Sequence, residues 1–367
     1  MSKLGRVLVA MSGGIDSTVT AMILHEQGYE VVGITMKTWD YANSGGSKKE
    51  TGCCSLDSIN DARSVAVQMG FPHFIIDIRD EFGDHVIDNF VGEYMAGRTP
   101  NPCVLCNTHI KWSALLKRAD AMDCAFIATG HYAQLSKTAQ GRWHVRKSAD
   151  DRKDQSYVLW GLSQECMARS RFPLGHMTKP EVRQLAADFG YEELSKKAES
   201  FEICFVPDND YRGFLKRRLP ELEQQVAGGQ FVDTQGEVIG SHDGYPFYTI
   251  GQRKGLGQAF GQPMYVTKID AATNTVTLGP VDALVKNGML VGGVTLQKYA
   301  QLPPEGLELV TKVRYKDRGT LSLVGAAGGS KVAVDFYADV RGVAPGQSAV
   351  FYEGDDVVGG GLIQTSR

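Results

Sequence analysis

The first third of the sequence alternates between short apolar segments and amphipathic segments, and this alternation restricts the fold more than any other feature. The segment from Arg6 to Met11 is apolar enough for a buried strand, and Asp16 to Gln27 has apolar residues at helical spacing. Further strands are predicted at 30–36, 73–78 and 124–129, with a helix at 57–69. Strands that alternate with helices predict an α/β fold with a parallel, doubly wound sheet.

The C-terminal part of the chain has a different composition. Residues 226–367 contain 24 of the 42 glycines, although they make up well under half of the chain. Between the glycines lie short runs rich in Val, Thr and Tyr, which predict strands at 247–250, 264–269, 275–278, 310–315, 331–336 and 349–352. Short strands separated by turn residues are typical of small β-domains and barrels, so we expect two or three domains in total.

Charge and hydropathy exclude two classes of protein. The 39 basic and 42 acidic residues give a net charge of −3, which excludes a globally cationic nucleic-acid wrapper but allows a local basic face. No apolar run approaches the roughly 18 residues of a membrane-spanning helix. The N-terminus also lacks the apolar stretch of a signal peptide. We therefore expect a cytoplasmic protein with no membrane partner, whose seven cysteines are mostly reduced thiols.

The sequence Ser-Gly-Gly-Ile-Asp-Ser at residues 12–17 lies between the first predicted strand and the first predicted helix. Its two glycines allow backbone N–H groups to approach a ligand closely, and the N-terminus of a helix favours an anion. Asp16 is a candidate to hold Mg²⁺ that bridges phosphates. A capped strand–helix turn would use similar residues. The position at the carboxyl end of a strand, where ligands bind in such sheets, favours phosphate binding.

Cys103 and Cys106 form a C-x-x-C pair that follows two prolines, which predicts an exposed loop. A structural zinc site needs four ligands, and no second pair of ligands at suitable spacing occurs. The pair is then a redox dithiol, a partner of a distant cysteine, or a chance occurrence. Cys204 has apolar neighbours, so a core thiol is its default interpretation.

The remaining cysteines are not assigned any chemistry. Cys124 and Cys166 lie in apolar or helical contexts and are predicted to be core thiols, and we give Cys53 and Cys54 no role. Basic residues cluster at 212–218 on a predicted helix and at 253–254 on a Gly-rich turn. Each cluster alone is typical of a solvated face, but together on a net-acidic chain they predict a surface that can hold phosphates.

A series of motifs then identifies a family. They run in order along nearly the whole chain: Met11-Ser-Gly-Gly-Ile-Asp-Ser, Ala96-Gly-Arg-Thr-Pro-Asn-Pro, Leu105-Cys-Asn, Ala128-Thr-Gly-His-Tyr-Ala, Lys153-Asp-Gln-Ser-Tyr, Phe172-Pro-Leu-Gly, Ile203-Cys-Phe, Tyr248-Thr-Ile-Gly-Gln-Arg-Lys-Gly-Leu-Gly and Pro345-Gly-Gln-Ser-Ala-Val-Phe-Tyr. With these motifs the chain resembles the bacterial tRNA-specific 2-thiouridylases, which are PP-loop ATP pyrophosphatases. The resemblance implies a PP-loop domain at 1–208, a small central domain at 209–285 and a C-terminal β-barrel at 286–367.

The resemblance also implies a reaction. ATP adenylates the C2 oxygen of the wobble uridine in the tRNAs for glutamate, glutamine and lysine, and sulfur replaces the activated oxygen. Cys106 matches the catalytic nucleophile, and Cys204 matches the cysteine that carries a persulfide. The two would form a disulfide during turnover. The implied cofactors are ATP and Mg²⁺, and the implied partners are tRNA and a sulfur-relay donor protein.

Other site residues follow from the same motifs. The positions that match the ATP site are Ala10, Met11, Ser12, Gly13, Gly14, Ile15, Asp16, Ser17, Met36 and Gly130. The positions that match contacts with tRNA are Asn101, Pro102, Cys103, His131, Lys153, Asp154, Gln155, Arg314, Tyr315 and Gln347.

Position 103 departs from the family pattern, because many members carry Asp there. The third thiol would allow Cys103, Cys106 and Cys204 to hold a [4Fe–4S] cluster, whereas the persulfide route, which we prefer, needs only Cys106 and Cys204. Two other functions stay open from the sequence: a PP-loop amidating ligase, which needs no paired cysteines, and a non-catalytic RNA-binding protein with a relic nucleotide site.

Overall fold

A five-stranded parallel sheet forms the centre of the N-terminal part of the chain. The structure, a computed structural model, describes residues 4–39, 56–196, 203–206 and 208–367. The helices and strands up to residue 196 are β1 (Arg6–Ala10), α1 (Ile15–Glu26), β2 (Glu30–Lys37), α2 (Leu56–Met69), β3 (His73–Asp77), α3 (Arg79–Phe82), α4 (Asp88–Met95), α5 (Pro102–Leu105), α6 (Trp112–Ala121), β4 (Phe126–Ala128), β5 (Gln134–Lys137), β6 (Trp143–Arg146), α7 (Gln164–Arg169), β7 (Ser170–Arg171), α8 (Lys179–Asp188) and α9 (Glu192–Lys196). A π-helical turn, Cys106–Lys111, joins α5 to α6.

The order of strands in this sheet is β3-β2-β1-β4-β7, and neighbouring strands run parallel. The chain first adds β2 and β3 on one side of β1 and then returns to add β4 and β7 on the other. The direction of winding therefore reverses between β1 and β4. Ligands of doubly wound sheets bind in the crevice outside the carboxyl ends of the strands at this point. The predicted α/β fold with a doubly wound parallel sheet is confirmed.

Helix α1 lies in the core of this part of the molecule. Val19, Met22 and Leu24 are almost completely buried, in one cluster with Val7 and Val9 of β1. Burying a side chain of this size contributes about 1.5–3 kcal/mol. The same cluster contains buried residues of α8, so α1 packs against both the sheet and a second helix. This packing fixes the N-terminus of α1, and with it the loop that precedes the helix.

The chain divides into two compact units. The first comprises Met1–Val86, Cys103–Asn209 and Asp355–Val357, and the second comprises Ile87–Pro102, Asp210–Gly354 and Val358–Arg367. The helices and strands beyond residue 210 are α10 (Tyr211–Arg218), α11 (Leu222–Gln225), β8 (Gly229–Val232), β9 (Val238–His242), β10 (Tyr265–Asp270), β11 (Thr275–Gly279), β12 (Val285–Leu296), β13 (Leu307–Lys312), β14 (Thr320–Ala326), β15 (Val332–Arg341), β16 (Ser348–Glu353) and β17 (Asp356–Ser366).

The second unit contains two β-structures. One is a four-stranded sheet in the order β10-β11-β8-β9. The other is a barrel in the order β12-β15-β14-β13-β16-β17, which pairing of β12 with β17 closes. Closure leaves no exposed barrel edge at which another chain could pair. The predicted C-terminal barrel is confirmed. Across the described ranges, no helix has both the length and the apolar composition needed to cross a membrane.

One predicted strand is wrong, and another is too long. The segment predicted at 247–250 forms no strand: Phe247 ends a 3₁₀ turn, Tyr245–Phe247, because Pro246 favours a helical turn, and the aromatic side chains there are buried by packing rather than by strand pairing. The strand predicted at 310–315 ends at Lys312, because the Asp317 carboxylate accepts the Val313 N–H and closes a turn.

The loop before α1 is packed too tightly for any side chain at Gly13. The residue has a φ of +69°, and a Cβ atom there would lie 1.9 Å from the Ser58 carbonyl oxygen of α2. Gly28 has a similar φ of +90°, but no atom lies within 4 Å of its Cβ position. Gly28 therefore requires glycine for its backbone conformation alone, and Gly13 requires it for both conformation and space.

We predict that Gly13→Ala lowers the free energy of unfolding more than Gly28→Ala. Both variants carry the strain of a left-handed residue, about 1–2 kcal/mol, but only Gly13→Ala forces α2 away from the loop. Urea unfolding followed by circular dichroism measures the difference. Equal losses in the two variants would contradict the close packing of the loop against α2.

Candidate active site

The loop between β1 and α1 is shaped by its own hydrogen bonds. The Ser12 N–H donates to the Ser17 hydroxyl oxygen (3.0 Å), and the Ser17 hydroxyl donates to the Gly14 carbonyl oxygen (3.0 Å). Gly14 is the N-cap of α1, so the first turn of the helix begins directly beyond the loop. The N–H groups of a first turn have no intrahelical acceptors, and together with the helix dipole they attract anions.

Asp16, in the first turn of α1, accepts hydrogen bonds from two side chains. The Lys179 Nζ lies 2.7 and 2.9 Å from its two carboxylate oxygens, and the Tyr132 hydroxyl donates to one of them at 2.7 Å. The Lys179 side chain is only 8% exposed, whereas that of Asp16 is 34% exposed. A buried ammonium is stable only beside a compensating charge, so Lys179 depends on Asp16.

Lys179 and Tyr132 were not predicted from the sequence as residues of this site. Lys179 is the first residue of α8, and Thr178 and Glu181 form a capping box at the same helix start. A cation at a helix N-terminus opposes the helix dipole. A lysine at the start of a predicted helix was therefore the signal in the sequence that could have indicated an anionic partner for Lys179.

Gly130 brings the end of β4 against the loop. A Cβ atom at this position would lie 2.8 Å from the Asp16 carbonyl carbon and 2.9 Å from the Ser17 nitrogen. Only glycine allows the two backbones to approach so closely. The structure therefore brings Gly130 together with the 12–17 loop at the point where the sheet reverses its winding. Ala10 ends β1, and Met36 lies near the end of the neighbouring strand β2, where it is half-buried.

The C-x-x-C pair lies on a helix rather than in the exposed loop that its prolines predicted. Pro102 is the first residue of α5, where its fixed φ suits the helix and its missing N–H costs nothing. Cys103 is exposed, and Cys106 is buried. Cys106 also begins the π-helical turn before α6, a conformation that is frequent at functional sites. The Asn107 side chain anchors this turn by donating to the Val158 carbonyl oxygen (3.2 Å).

Two opposing effects act on the Cys103 thiol. Although the residue as a whole is exposed, burial of its sulfur raises the pKa, and the charge of Lys111 lowers it. Cys204 is half-buried, next to Phe205, which packs edge-on against Phe82 at 5.9 Å between ring centres. Cys204 is thus not the fully buried core thiol that its apolar neighbours suggested, because Phe205 occupies the core instead.

In the described part of the chain, Cys103, Cys106 and Cys204 are reduced and form no disulfide. Within the described ranges, which include all three, no group of three or more His, Cys, Asp or Glu side chains lies close enough to hold a metal ion. The three-thiolate arrangement is therefore not formed here. Cys124 is buried as predicted, Cys166 is only half-buried, and Cys53 and Cys54 lie outside the described residues.

His131 is a neutral imidazole in this environment. Its Nδ1 lies 2.8 Å from the Thr129 hydroxyl, and its ring centre lies 5.5 Å from that of Trp112 and 6.1 Å from that of Phe172. Burial, with a smaller contribution from the charge of Lys111, lowers the pKa of His131 to about 3. A neutral imidazole can form a hydrogen bond or stack on another ring, but it carries no positive charge.

Asp154 and Gln155, two residues of the Lys153–Gln155 segment predicted to contact tRNA, use their side chains within the fold. Asp154 accepts hydrogen bonds from the Ser156 N–H and hydroxyl, at 3.2 and 2.8 Å. Gln155 accepts one from the Tyr132 N–H at 2.9 Å. Lys153 is half-buried and also engaged in interactions within the fold.

The remaining predicted tRNA residues lie in the second unit, apart from Cys103. The Gln347 amide donates to the carbonyl oxygens of Thr99 and Pro100, at 3.1 and 2.9 Å. These bonds hold the loop that leads into Asn101 and Pro102. Arg314 and Tyr315 lie on the turn after β13, and the Tyr315 side chain is exposed.

Comparisons with known proteins cover the whole chain. Domain models match at 5–208 (tRNA methyl transferase HUP domain), 212–280 (tRNA methyl transferase PRC-barrel domain) and 295–363 (Aminomethyltransferase beta-barrel domain). The tRNA-specific 2-thiouridylase MnmA of Cytophaga hutchinsonii is 62% identical over 366 residues, which is 100% of this chain and 99% of the relative. The proteins of the same name from Amoebophilus asiaticus and Salinibacter ruber are 62% and 56% identical, over 99% of this chain and 96% and 95% of their own lengths.

We predict that His131 makes the stability of the protein fall as pH falls from about 6.5 towards 3. The unfolded imidazole takes up a proton near its ordinary pKa of about 6.5, and the folded one does not until about pH 3, so the unfolded state binds more protons in this range. His131→Gln should make thermal stability depend less steeply on pH between 7 and 4. His176→Gln, at an exposed histidine, is the control. An unchanged slope in His131→Gln would show that the imidazole is not held neutral.

Proposed function

The chain belongs to the tRNA-specific 2-thiouridylase family and is a tRNA sulfurtransferase, and from this we propose that it uses ATP to adenylate the C2 oxygen of the wobble uridine and replaces that oxygen with sulfur. The proposed substrates are the tRNAs for glutamate, glutamine and lysine. One observation of the structure carries the proposal: Asp16 and the first turn of α1 meet the end of β4 at the point where the sheet reverses. Such a site suits a nucleotide.

In the first step, the C2 oxygen of the uracil attacks the α-phosphorus of ATP, and pyrophosphate leaves. The loop N–H groups hold the phosphate oxygens, and Lys179 supplies a positive charge beside them. The partly exposed Asp16 carboxylate suits Mg²⁺, which prefers oxygen ligands and, when bound, neutralises phosphate charge. The step converts a poor leaving group, a carbonyl oxygen, into a good one, AMP.

In the second step, the outer sulfur of a persulfide on Cys204 bonds to C2, and AMP leaves with the original oxygen. The Cys106 thiolate then attacks the inner sulfur of the Cys204 persulfide. The S–S bond breaks, its electrons stay on the sulfur bound to the base, and Cys106 and Cys204 form a disulfide. A dithiol reductant restores the two thiols, and a sulfur-relay protein reloads Cys204. The disulfide requires Cα atoms about 4.4–6.8 Å apart.

The basic clusters are proposed to contact the tRNA backbone, and they differ in whether their charges already form ion pairs within the protein. On α10, Arg218 pairs with Asp88 (3.1 Å) and Lys216 pairs with Glu223 (2.6 Å), so these charges are partly compensated within the unit. Arg253 and Lys254 are exposed, and neither forms an ion pair with another described residue. The Gly-rich turn at 253–254 is therefore the stronger candidate for binding phosphates.

We predict that the double variant Arg253→Ala, Lys254→Ala weakens tRNA binding and lowers its salt dependence. Each phosphate contact contributes about −0.7 to −0.9 to the slope of log affinity against log salt concentration, so two lost contacts should reduce the slope by about 1.4–1.8. Filter binding at several salt concentrations measures it. Lys331→Ala, at an exposed lysine of the barrel, is the control. An unchanged slope in the double variant would remove this turn from the tRNA surface.

The central experiment is mass analysis of tRNA nucleosides after a single turnover with ATP, Mg²⁺ and a persulfide donor such as cysteine persulfide, whose outer sulfur can be transferred to the Cys204 thiol. The wild type should produce 2-thiouridine at the wobble position, and both Cys106→Ser and Cys204→Ser should lose activity, since each removes one sulfur of the proposed transfer. Cys166→Ser is the matched control, at a half-buried cysteine with no proposed role.

Other outcomes of this experiment decide between the alternatives. The paired-cysteine route would be contradicted if Cys204→Ser thiolates tRNA at full rate and if peptide mapping of the wild type after turnover without reductant recovers no Cys106–Cys204 disulfide. An aminated nucleoside would indicate an amidating ligase. Absence of tRNA-dependent pyrophosphate release would leave a non-catalytic RNA-binding protein.

Cys103→Asp introduces the residue that many family members carry and should retain most of the activity.

A further inference from the structure

Both partners of Asp16 are themselves held by one short segment of the chain. The Lys179 N–H donates to the Asp150 carboxylate at 3.0 Å. The Tyr132 N–H donates to the Gln155 side-chain oxygen at 2.9 Å, and the Gln155 N–H donates to the Tyr132 carbonyl oxygen at 2.8 Å. The turn from Asp150 to Gln155 therefore forms hydrogen bonds with the backbone of both residues whose side chains contact Asp16, namely Lys179 and Tyr132.

Internal hydrogen bonds keep this turn in one shape. The second carboxylate oxygen of Asp150 accepts the Arg152 N–H at 3.0 Å, and its carbonyl oxygen accepts the Ser148 hydroxyl at 2.8 Å. Asp154 accepts the Ser148 N–H at 3.1 Å. A turn with so many internal bonds can hold other residues in place.

The hydrogen bond from the Lys179 N–H to Asp150 stabilises the N-terminus of α8. The N–H of the first residue in a helix has no intrahelical acceptor, so the Asp150 carboxylate satisfies it and also offsets the dipole of α8 beside the Lys179 ammonium. The position of the Lys179 backbone decides where its Nζ can reach. Phosphate and metal sites need their groups placed within about 0.5 Å.

We propose that Asp150 and Gln155 are positioning residues of the phosphate site, which set Lys179 and Tyr132 against Asp16. The inference rests on the proposed function, in which this site binds ATP. It gives the Asp150–Gln155 segment a role in the first step of the reaction that is separate from any contact with tRNA.

The test measures the affinity of the full chain for ATP with Mg²⁺, by titration calorimetry in the absence of tRNA. Asp150→Ala and Gln155→Ala should each weaken binding about three- to tenfold, the effect of one lost hydrogen bond. Gln155→Glu keeps an oxygen that accepts the Tyr132 N–H and should bind nearly as well as the wild type. Asp151→Ala, at an exposed neighbour whose side chain makes no described bond, is the matched control and should bind like the wild type.

A double-mutant cycle separates positioning from a general effect on folding. Tyr132→Phe removes the hydroxyl that reaches Asp16, so adding Gln155→Ala to it should weaken ATP binding little further. If Gln155→Ala weakens ATP binding equally in the wild type and in Tyr132→Phe, its effect does not depend on the Tyr132 hydroxyl. The proposal is then wrong for Gln155.

Two further outcomes are distinguishable. If Asp150→Ala and Gln155→Ala leave ATP affinity unchanged and weaken only tRNA binding, the segment serves tRNA alone, and the positioning role is overturned. If the wild type itself does not bind ATP, the proposed function fails, whatever the variants do.

Discussion

A lysine ammonium that is almost fully buried must have a negative partner, and Lys179 has it in Asp16. The surrounding residues place these two groups. The burial of α1 fixes Asp16, the cap of α8 fixes Lys179, and Gly130 allows the end of β4 to approach within contact distance. This position suits a phosphate ligand, because Asp16 lies in the first turn of α1, whose N–H groups attract anions, and the Lys179 ammonium lies directly beside it.

The sequence predicted β1, α1, β2, α2, β3 and β4 to within two residues, but it gave no bounds for the other helices and strands of the first unit. The pattern is strong there because strands of a parallel sheet are apolar on both faces, and Gly28 and Gly70 mark where helices end. The phosphate loop was also predictable, since both of its glycines lie directly between a strand and a helix. In the second unit the prediction was weaker, as Pro246 shows, because aromatic and β-branched residues are buried there both in strands and in turns.

The partners of Asp16 were not predictable from the sequence. Lys179 lies 163 positions from Asp16 in the chain and Tyr132 lies 116 positions away, and only the packing of α8 and β4 around α1 brings them together. The same holds for Gln347, which lies 248 and 247 positions along the chain from Thr99 and Pro100, whose carbonyl oxygens its amide contacts. The two prolines before Cys103 were misleading for a local reason, because Pro102 starts a helix as readily as it ends one.

The central claim is that this site activates the C2 oxygen of the wobble uridine by adenylation. The most direct measurement uses tRNA that carries a heavy oxygen isotope at that C2 position, with ATP, Mg²⁺ and a persulfide donor. Mass spectrometry of the released AMP then follows the fate of the oxygen. The account predicts that the heavy isotope appears in the phosphate group of AMP, in step with the 2-thiouridine formed. Formation of 2-thiouridine together with unlabelled AMP would contradict it.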